Sequence, residues 1–333
     1  MKIFVSGIAG FLGSHLAETF IKDGHQVIGC DSLIGGELDN VPPEAEFYQY
    51  DCCYRNSMLK ITKDCDLVYH AAATAYEGLS VFSPHLITQN IVTGSVSLFS
   101  AAIENKVKRI IYCSSMARYG TNKIPFTENL IPNPQDPYGI AKLAAENILR
   151  NLCETHGVEY VIAVPHNIIG PRQKYDDPYR NVVSIMINLM LQNRQPIIYG
   201  DGEQKRCFFY VYDDLFCLKE MAFNKNVIGE VINIGPDEEF ITINQLADKL
   251  ANQLRFNLNP QFVKGRTQEV LHATCSEDKA RKILGYKKKT SLDKGLEKMI
   301  SFIKKRGTKK FRYHLDLEII NELTPKTWKD RLF

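Results

Sequence analysis

Short apolar runs alternate with longer stretches of helical spacing through the first half of the chain. Lys2–Ser6, Gln26–Asp31, Glu46–Asp51, Leu67–Ala72, Arg109–Ser115 and Tyr160–His166 are each near-continuous in Val, Ile, Tyr and Ala. Strands covered on both faces read this way, and the helical stretches between them are the crossovers that make neighbouring strands parallel. From about residue 167 the rhythm changes. Gly170-Pro171, Asp177-Pro178, Gln195-Pro196 and Gly200-Asp201-Gly202 mark loops between shorter elements. Helices are expected over Arg180–Asn193, Asp213–Phe223, Ile243–Arg255 and Ser291–Lys305, with one more strand over Val231–Gly235. The pattern predicts an α/β fold: a doubly wound parallel sheet over residues 1–166 and a smaller C-terminal lobe over 167–333, some of whose segments return to the main sheet. The stretch from Arg306 to Phe333 is polar and helix-prone, contains Trp328, and suggests no role.

Composition narrows the function classes. The 333 residues are 44% hydrophobic and 24% charged, which excludes a disordered or disulfide-scaffold chain. A net charge of +3 lacks the strongly basic footprint of a nucleic-acid binder. The late clusters Lys287-Lys288-Lys289 and Lys304-Lys305-Arg306 read as solvated faces. The nine cysteines are odd in number and scattered, with no Cys-x-x-Cys pair, so reduced thiols are expected and no metal site. No uninterrupted run approaches the ~18 apolar residues of a membrane span. Lys2 and Ile3–Val5 lead directly into a glycine turn instead of a signal-peptide core. Cytoplasmic residence, with no membrane partner, is the expectation.

The first chemical signal is Gly7-Ile8-Ala9-Gly10-Phe11-Leu12-Gly13, placed between the first strand and the first helix. Glycines here let backbone N–H groups approach a pyrophosphate at the positive end of a helix. Asp31, at the end of the second strand, stands near the ~20-residue interval at which an acid meets the adenosine ribose hydroxyls, and this favours NAD over NADP. The sheet is thus of Rossmann type. Asp51, ending the third strand, is a weaker candidate for the adenine amino group, with a turn aspartate as the competing reading.

The second signal is Ser115, ending the fifth strand, followed by Tyr138-Gly139-Ile140-Ala141-Lys142 at the start of a long helix. Residues four apart share a helix face, so the ammonium of Lys142 is expected to reach beneath the Tyr138 phenol and stabilise its anion. Together with Asp66–Ala72, Ser114–Gly120, Asn167–Pro171 and Gly200–Arg206, these motifs make the chain resemble the extended short-chain dehydrogenase/reductase family, in its nucleotide-sugar epimerase and dehydratase branch. That resemblance implies a substrate-binding C-terminal lobe. It implies that Ser115 and Tyr138 hold the sugar 4-hydroxyl, that Lys142 binds the nicotinamide ribose, and that Tyr138 takes the hydroxyl proton as NAD oxidises C4. It adds Phe11, Leu12, Cys52, Ala71, Ala72 and Pro165 to the NAD contacts. For the substrate it implies Tyr76, Glu77, Asn167 beside the diphosphate, Tyr199 near the base, Arg206 and Arg266 on diphosphate and ribose, and Glu269 on a ribose hydroxyl. His70 and His166 are left out of catalysis.

Sugar dehydratases of this family carry Asp and Glu directly after the catalytic hydroxyl, and the decarboxylases carry a glutamate there. Met116 and Ala117 occupy those positions here, and neither transfers a proton. Subtraction favours 4-epimerisation of a nucleotide sugar, which needs no other acid or base because Tyr138 can return the proton it removed. The runner-up is a dehydratase using Glu77 or Cys113; a non-catalytic NAD-binding protein is third. Apolar helices over Pro84–Lys106 and from Tyr138 onward predict a homodimer by the family's four-helix contact.

Overall fold

The computed structural model describes all 333 residues. Seven strands form one sheet: β1 (Lys2–Ser6), β2 (Gln26–Cys30), β3 (Glu46–Tyr48), β4 (Leu67–His70), β5 (Arg109–Cys113), β6 (Glu159–Pro165) and β7 (Val231–Ile234). Their order is β3-β2-β1-β4-β5-β6-β7, and every pairing is parallel. The order reverses at β1, and ligands of such sheets bind outside the strand ends at that reversal.

Apolar residues cover both faces. Ile3, Val5, Tyr69 and Ile111 pack on one side with Leu16 and Phe20 of the helix Phe11–Lys22 and Leu215 and Leu218 of the helix Val211–Phe223. Phe4, Val68, Ile110 and Tyr112 pack on the other with Leu98 and Phe99 of Pro84–Glu104 and Ala145 and Leu149 of Pro137–His156. β1 fills its apolar run, and the other strands stop one to three residues short of theirs. Asp31, Asp51, Ala71, Ala72, Ser114 and Ser115 continue the runs but leave the ladder and turn over the strand ends.

The lobe is built on helices Val182–Leu191, Ile243–Leu254 and Leu292–Arg306, which bury Ile187, Leu246, Leu250, Leu296 and Met299 against one another. Thr242 and Gln245 form a reciprocal cap at the start of the second of these. β7 returns to the main sheet beside β6. Residues 307–333 are irregular except for Lys326–Lys329, so the expected helical tail is not formed.

Pro84–Glu104 is a 21-residue helix with an 18-residue window of mean hydropathy 1.4, long and apolar enough to cross a membrane by length and composition alone. Its serines, threonines and Gly94 interrupt the apolar run, and half of that window is buried within the chain, as in a core helix.

Candidate active site

At the reversal point the glycine turn is sterically obligatory. Gly7 has φ +74°, and a Cβ there would lie 2.8 Å from Ala72 Cα. A Cβ on Gly13 would lie 2.1 Å from the Gly7 carbonyl oxygen. Gly10 precedes the helix Phe11–Lys22 without capping it by a side chain, so the helix N-terminus opens to the cavity. The Asp31 carboxylate accepts from the N–H groups of Ala9 at 3.1 Å and Leu33 at 2.8 Å, while burial pushes its pKa up. Asp51 also lines the cavity, but one of its oxygens is taken by the Cys53 N–H at 2.8 Å, so both readings of that residue have a basis.

The catalytic side is set by β5 and the helix Pro137–His156. Ser115 is extended and accepts from the Ala117 N–H at 3.2 Å. Asp136 caps the helix by accepting from the Gly139 N–H at 2.9 Å, and Pro137 occupies the first turn, so Tyr138 is fixed at the helix entrance. Tyr138 is only 7% exposed. Burial pushes its phenol up to about 12; the Ser115 hydroxyl and the Arg180 guanidinium draw it down, and the charges of Glu77 and Asp136 push it further up. Lys142 is buried and donates to the Cys113 carbonyl at 2.8 Å, with its nitrogen 4.9 Å from the Tyr112 ring centroid. It makes no hydrogen bond to Tyr138, one helical turn before it. Desolvation lowers this amine to about 8.

Behind this constellation Ser114 donates to Glu146, which also pairs with Arg118 at 3.1 Å; Arg118 and Glu146 are both buried. Arg118 is therefore a supporting residue outside the cavity. His70 bridges Ser6 at 2.7 Å and Ser95 at 2.9 Å, and burial holds it neutral at about 3. His166 is buried and lowered to about 3 by desolvation, and it does not line the cavity. Burial pushes the Cys113 thiol up to about 12, which makes it a poor base.

Across the cleft, the Asn167 amide donates to the Cys207 carbonyl at 3.0 Å. Arg206 and Arg266 share Glu269, at 3.7 and 2.6 Å, and the Arg266 guanidinium lies 4.9 Å over the Tyr199 ring. Arg266 Nε is buried without a partner. Tyr76 donates to Asp177 at 2.8 Å, and Arg180 lies 4.9 Å over the Tyr76 ring, its Nε likewise unpartnered. All the site residues expected from the sequence line one cavity of about 470 Å³, Glu77 and Pro165 among them. The cavity also contains Asp136, Arg180, Asn181, Trp328 and Phe333, which the sequence reading missed. Only Asp136 had a local signal, as a helix cap before Pro137.

The cradle, the acid at the end of β2 and the Ser–Tyr–Lys set face one cleft, and a family model agrees with that arrangement: the description "NAD dependent epimerase/dehydratase family" matches residues 3–235. The chain belongs to this family. It is 34% identical over 308 residues to a putative UDP-glucose 4-epimerase of Methanocaldococcus jannaschii, covering 91% of this chain and 98% of the relative. Among solved structures it resembles the UDP-glucose 4-epimerase of Thermotoga maritima with UDP-glucose: TM-score 0.87, 32% identity, 92% of this chain and 99% of that one. It also resembles the UDP-glucuronic acid 4-epimerase of Bacillus cereus with UDP-glucuronic acid and NAD: TM-score 0.86, 28% identity, 92% and 100%. The cofactor of this epimerase/dehydratase family member is NAD, and the chain fits it: Gly7 and Gly13 let the turn pack tightly on Ala72 and on itself, which leaves the uncapped N-terminus of the helix Phe11–Lys22 open to the cavity, and Asp31 would repel a 2′-phosphate.

Proposed function

We propose that this chain is an NAD-dependent 4-epimerase of a UDP-linked hexose or N-acetylhexosamine, working through a transient 4-keto sugar. The observation that carries the reading is chemical subtraction at the end of β5. Tyr138 lines the cavity beside Ser115, while the next two positions hold Met116 and Ala117, which have no proton to give. Epimerisation needs one acid–base group, because the proton removed is the proton returned. The similar proteins described above support the same substrate class.

Gly7, Gly10, Gly13, Asp31 and Lys142 would hold NAD, which when bound supplies a reversible two-electron acceptor for C4. Ser115 holds the C4 hydroxyl and Tyr138 takes its proton. A phenol at about 12 is mostly protonated at neutral pH until positive charge gathers round it; Arg180 is the cation that already draws it down, and Lys142 stands one helical turn further along. Arg206 and Arg266 hold the diphosphate while the keto sugar turns the other face of C4 toward the cofactor site, and Tyr138 then returns the proton to the C4 oxygen.

A dehydratase is the second reading, favoured by the Glu77 carboxylate, which lines the cavity and acts electrostatically on Tyr138. Incubation with UDP-glucose and UDP-N-acetylglucosamine in deuterated water, followed by NMR, separates the two. The 4-epimer without carbon-bound deuterium supports the proposal; a labelled dehydrated product overturns it. A cytoplasmic homodimer completes this reading, supported by nine free cysteines and by apolar residues left on the two helices behind the active site.

A further inference from the structure

Residues 307–333 have almost no regular structure, yet they are bonded to both halves of the molecule. On the NAD-binding side the Glu318 carboxylate accepts from the N–H groups of His85 at 2.9 Å and Leu86 at 2.8 Å, capping the helix Pro84–Glu104. The Phe82 carbonyl accepts from the N–H groups of Glu318 and Ile319, each at 2.9 Å. On the lobe side the Tyr179 hydroxyl donates to the Leu315 carbonyl at 2.8 Å, and Trp328 Nε1 donates to the Pro178 carbonyl at 3.0 Å. The Thr327 hydroxyl is bonded to the Tyr199 phenol.

The segment does more than tie two units together, because part of it forms the wall of the cleft. Trp328 lines the cavity and packs edge-on against Phe82 and Tyr179, with ring centroids 6.0 and 5.6 Å apart. It belongs to the same buried cluster as Tyr76 and Tyr138. Thr327 is fully buried and fixes the ring over which Arg266 lies.

We propose that the segment 307–333 is part of the substrate site, with Thr327 and Trp328 as positioning residues for the nucleoside diphosphate. Thr327 holds Tyr199 and the arginine on its face in the binding geometry before substrate arrives, which removes an ordering cost from binding. Trp328 closes the channel beside Glu77 and Gly78; a Cβ on Gly78 would lie 3.5 Å from the Trp328 ring. This proposal rests on the UDP-sugar reading above.

Trp328 is the only tryptophan of the chain, so its emission reports the cleft directly. The NAD-loaded protein is titrated with UDP while emission and heat are followed. A saturable emission change with the calorimetric Kd is expected. Thr327→Val keeps the shape and deletes the hydroxyl. It is expected to weaken UDP by up to about tenfold, the value of a net hydrogen bond, and to raise KM more than it lowers kcat. Thr327→Ser restores the affinity, and Trp328→Phe weakens UDP measured by heat alone. An emission that ignores saturating UDP, or a Thr327→Val protein that melts normally and binds UDP as tightly as the parent, overturns the proposal. Absence of any heat of UDP binding to the unaltered protein overturns the UDP-sugar reading and this proposal with it.

Discussion

The Lys142 ammonium donates to the Cys113 carbonyl at 2.8 Å and makes no bond to the Tyr138 phenol one helical turn before it. The amine is thereby held at the strand end, where the NAD ribose of this family would lie, and burial lowers its pKa to about 8. It is charged below that value and neutral above it. NAD affinity is therefore expected to fall as the pH is raised from 7 to 9.5, in the protein before NAD is bound. Lys142→Met should bind NAD more weakly at pH 7 and lose this pH dependence. Calorimetry at the two pH values checks it, and an unchanged pH response in the methionine variant would assign the titration elsewhere.

The steric argument at the glycine turn gives a paired prediction. Gly13→Ala puts a Cβ 2.1 Å from the Gly7 carbonyl, an atom of the cradle backbone that cannot yield without moving the helix. NAD affinity should drop by about a hundredfold or more, since the N–H groups that approach the pyrophosphate are displaced. Gly24→Ala is the control: φ is +82° but nothing lies within 4 Å of the added atom. It should cost about 1 kcal/mol of stability through strain alone and leave NAD binding as it was.

These residues were legible in the sequence because their chemistry is local. A strand, a glycine turn, a helix and an acid follow one another within Lys2–Asp31, and Tyr138 and Lys142 share one helix. The seven strands were legible for the same reason, their runs being apolar on both faces. Arg180, Thr327 and Trp328 were not. Each owes its place to a partner far along the chain, as Trp328 does to Pro178 and Thr327 to Tyr199. The four-residue spacing of Tyr138 and Lys142 indicated a shared face but could not reveal that the Cys113 carbonyl captures the amine.

The helices Pro84–Glu104 and Pro137–His156 pack on the sheet and on each other, yet Val92, Val96, Leu143 and Ile148 remain only partly covered and Ile140 is 54% exposed. Apolar residues left on two adjacent helices fit a contact between copies. Light scattering at micromolar concentration should give about twice the 37.9 kDa chain mass. Val96→Glu combined with Ile140→Lys should halve it; a monomeric mass for the unaltered protein would remove the assignment.

Asp136 is 3% exposed, caps the helix that carries Tyr138, and lies where the Glu77 charge is felt. Burial first, and then Glu77, push its carboxyl up to about 7. An unfolded aspartate titrates near ~3.9, so the folded protein binds this proton more tightly. The sign follows: stability is highest below about pH 4, declines as the pH rises to 7, and above that carries the full penalty of an ionised, buried acid. Asn is as good a cap and can still accept from the Gly139 N–H and the Ser80 hydroxyl. Asp136→Asn should therefore be more stable than the parent at pH 8 by about 2 kcal/mol, and no more stable at pH 4. Denaturant unfolding at both pH values measures the difference, and an equal gain at pH 4 would show that ionisation of Asp136 is not its source.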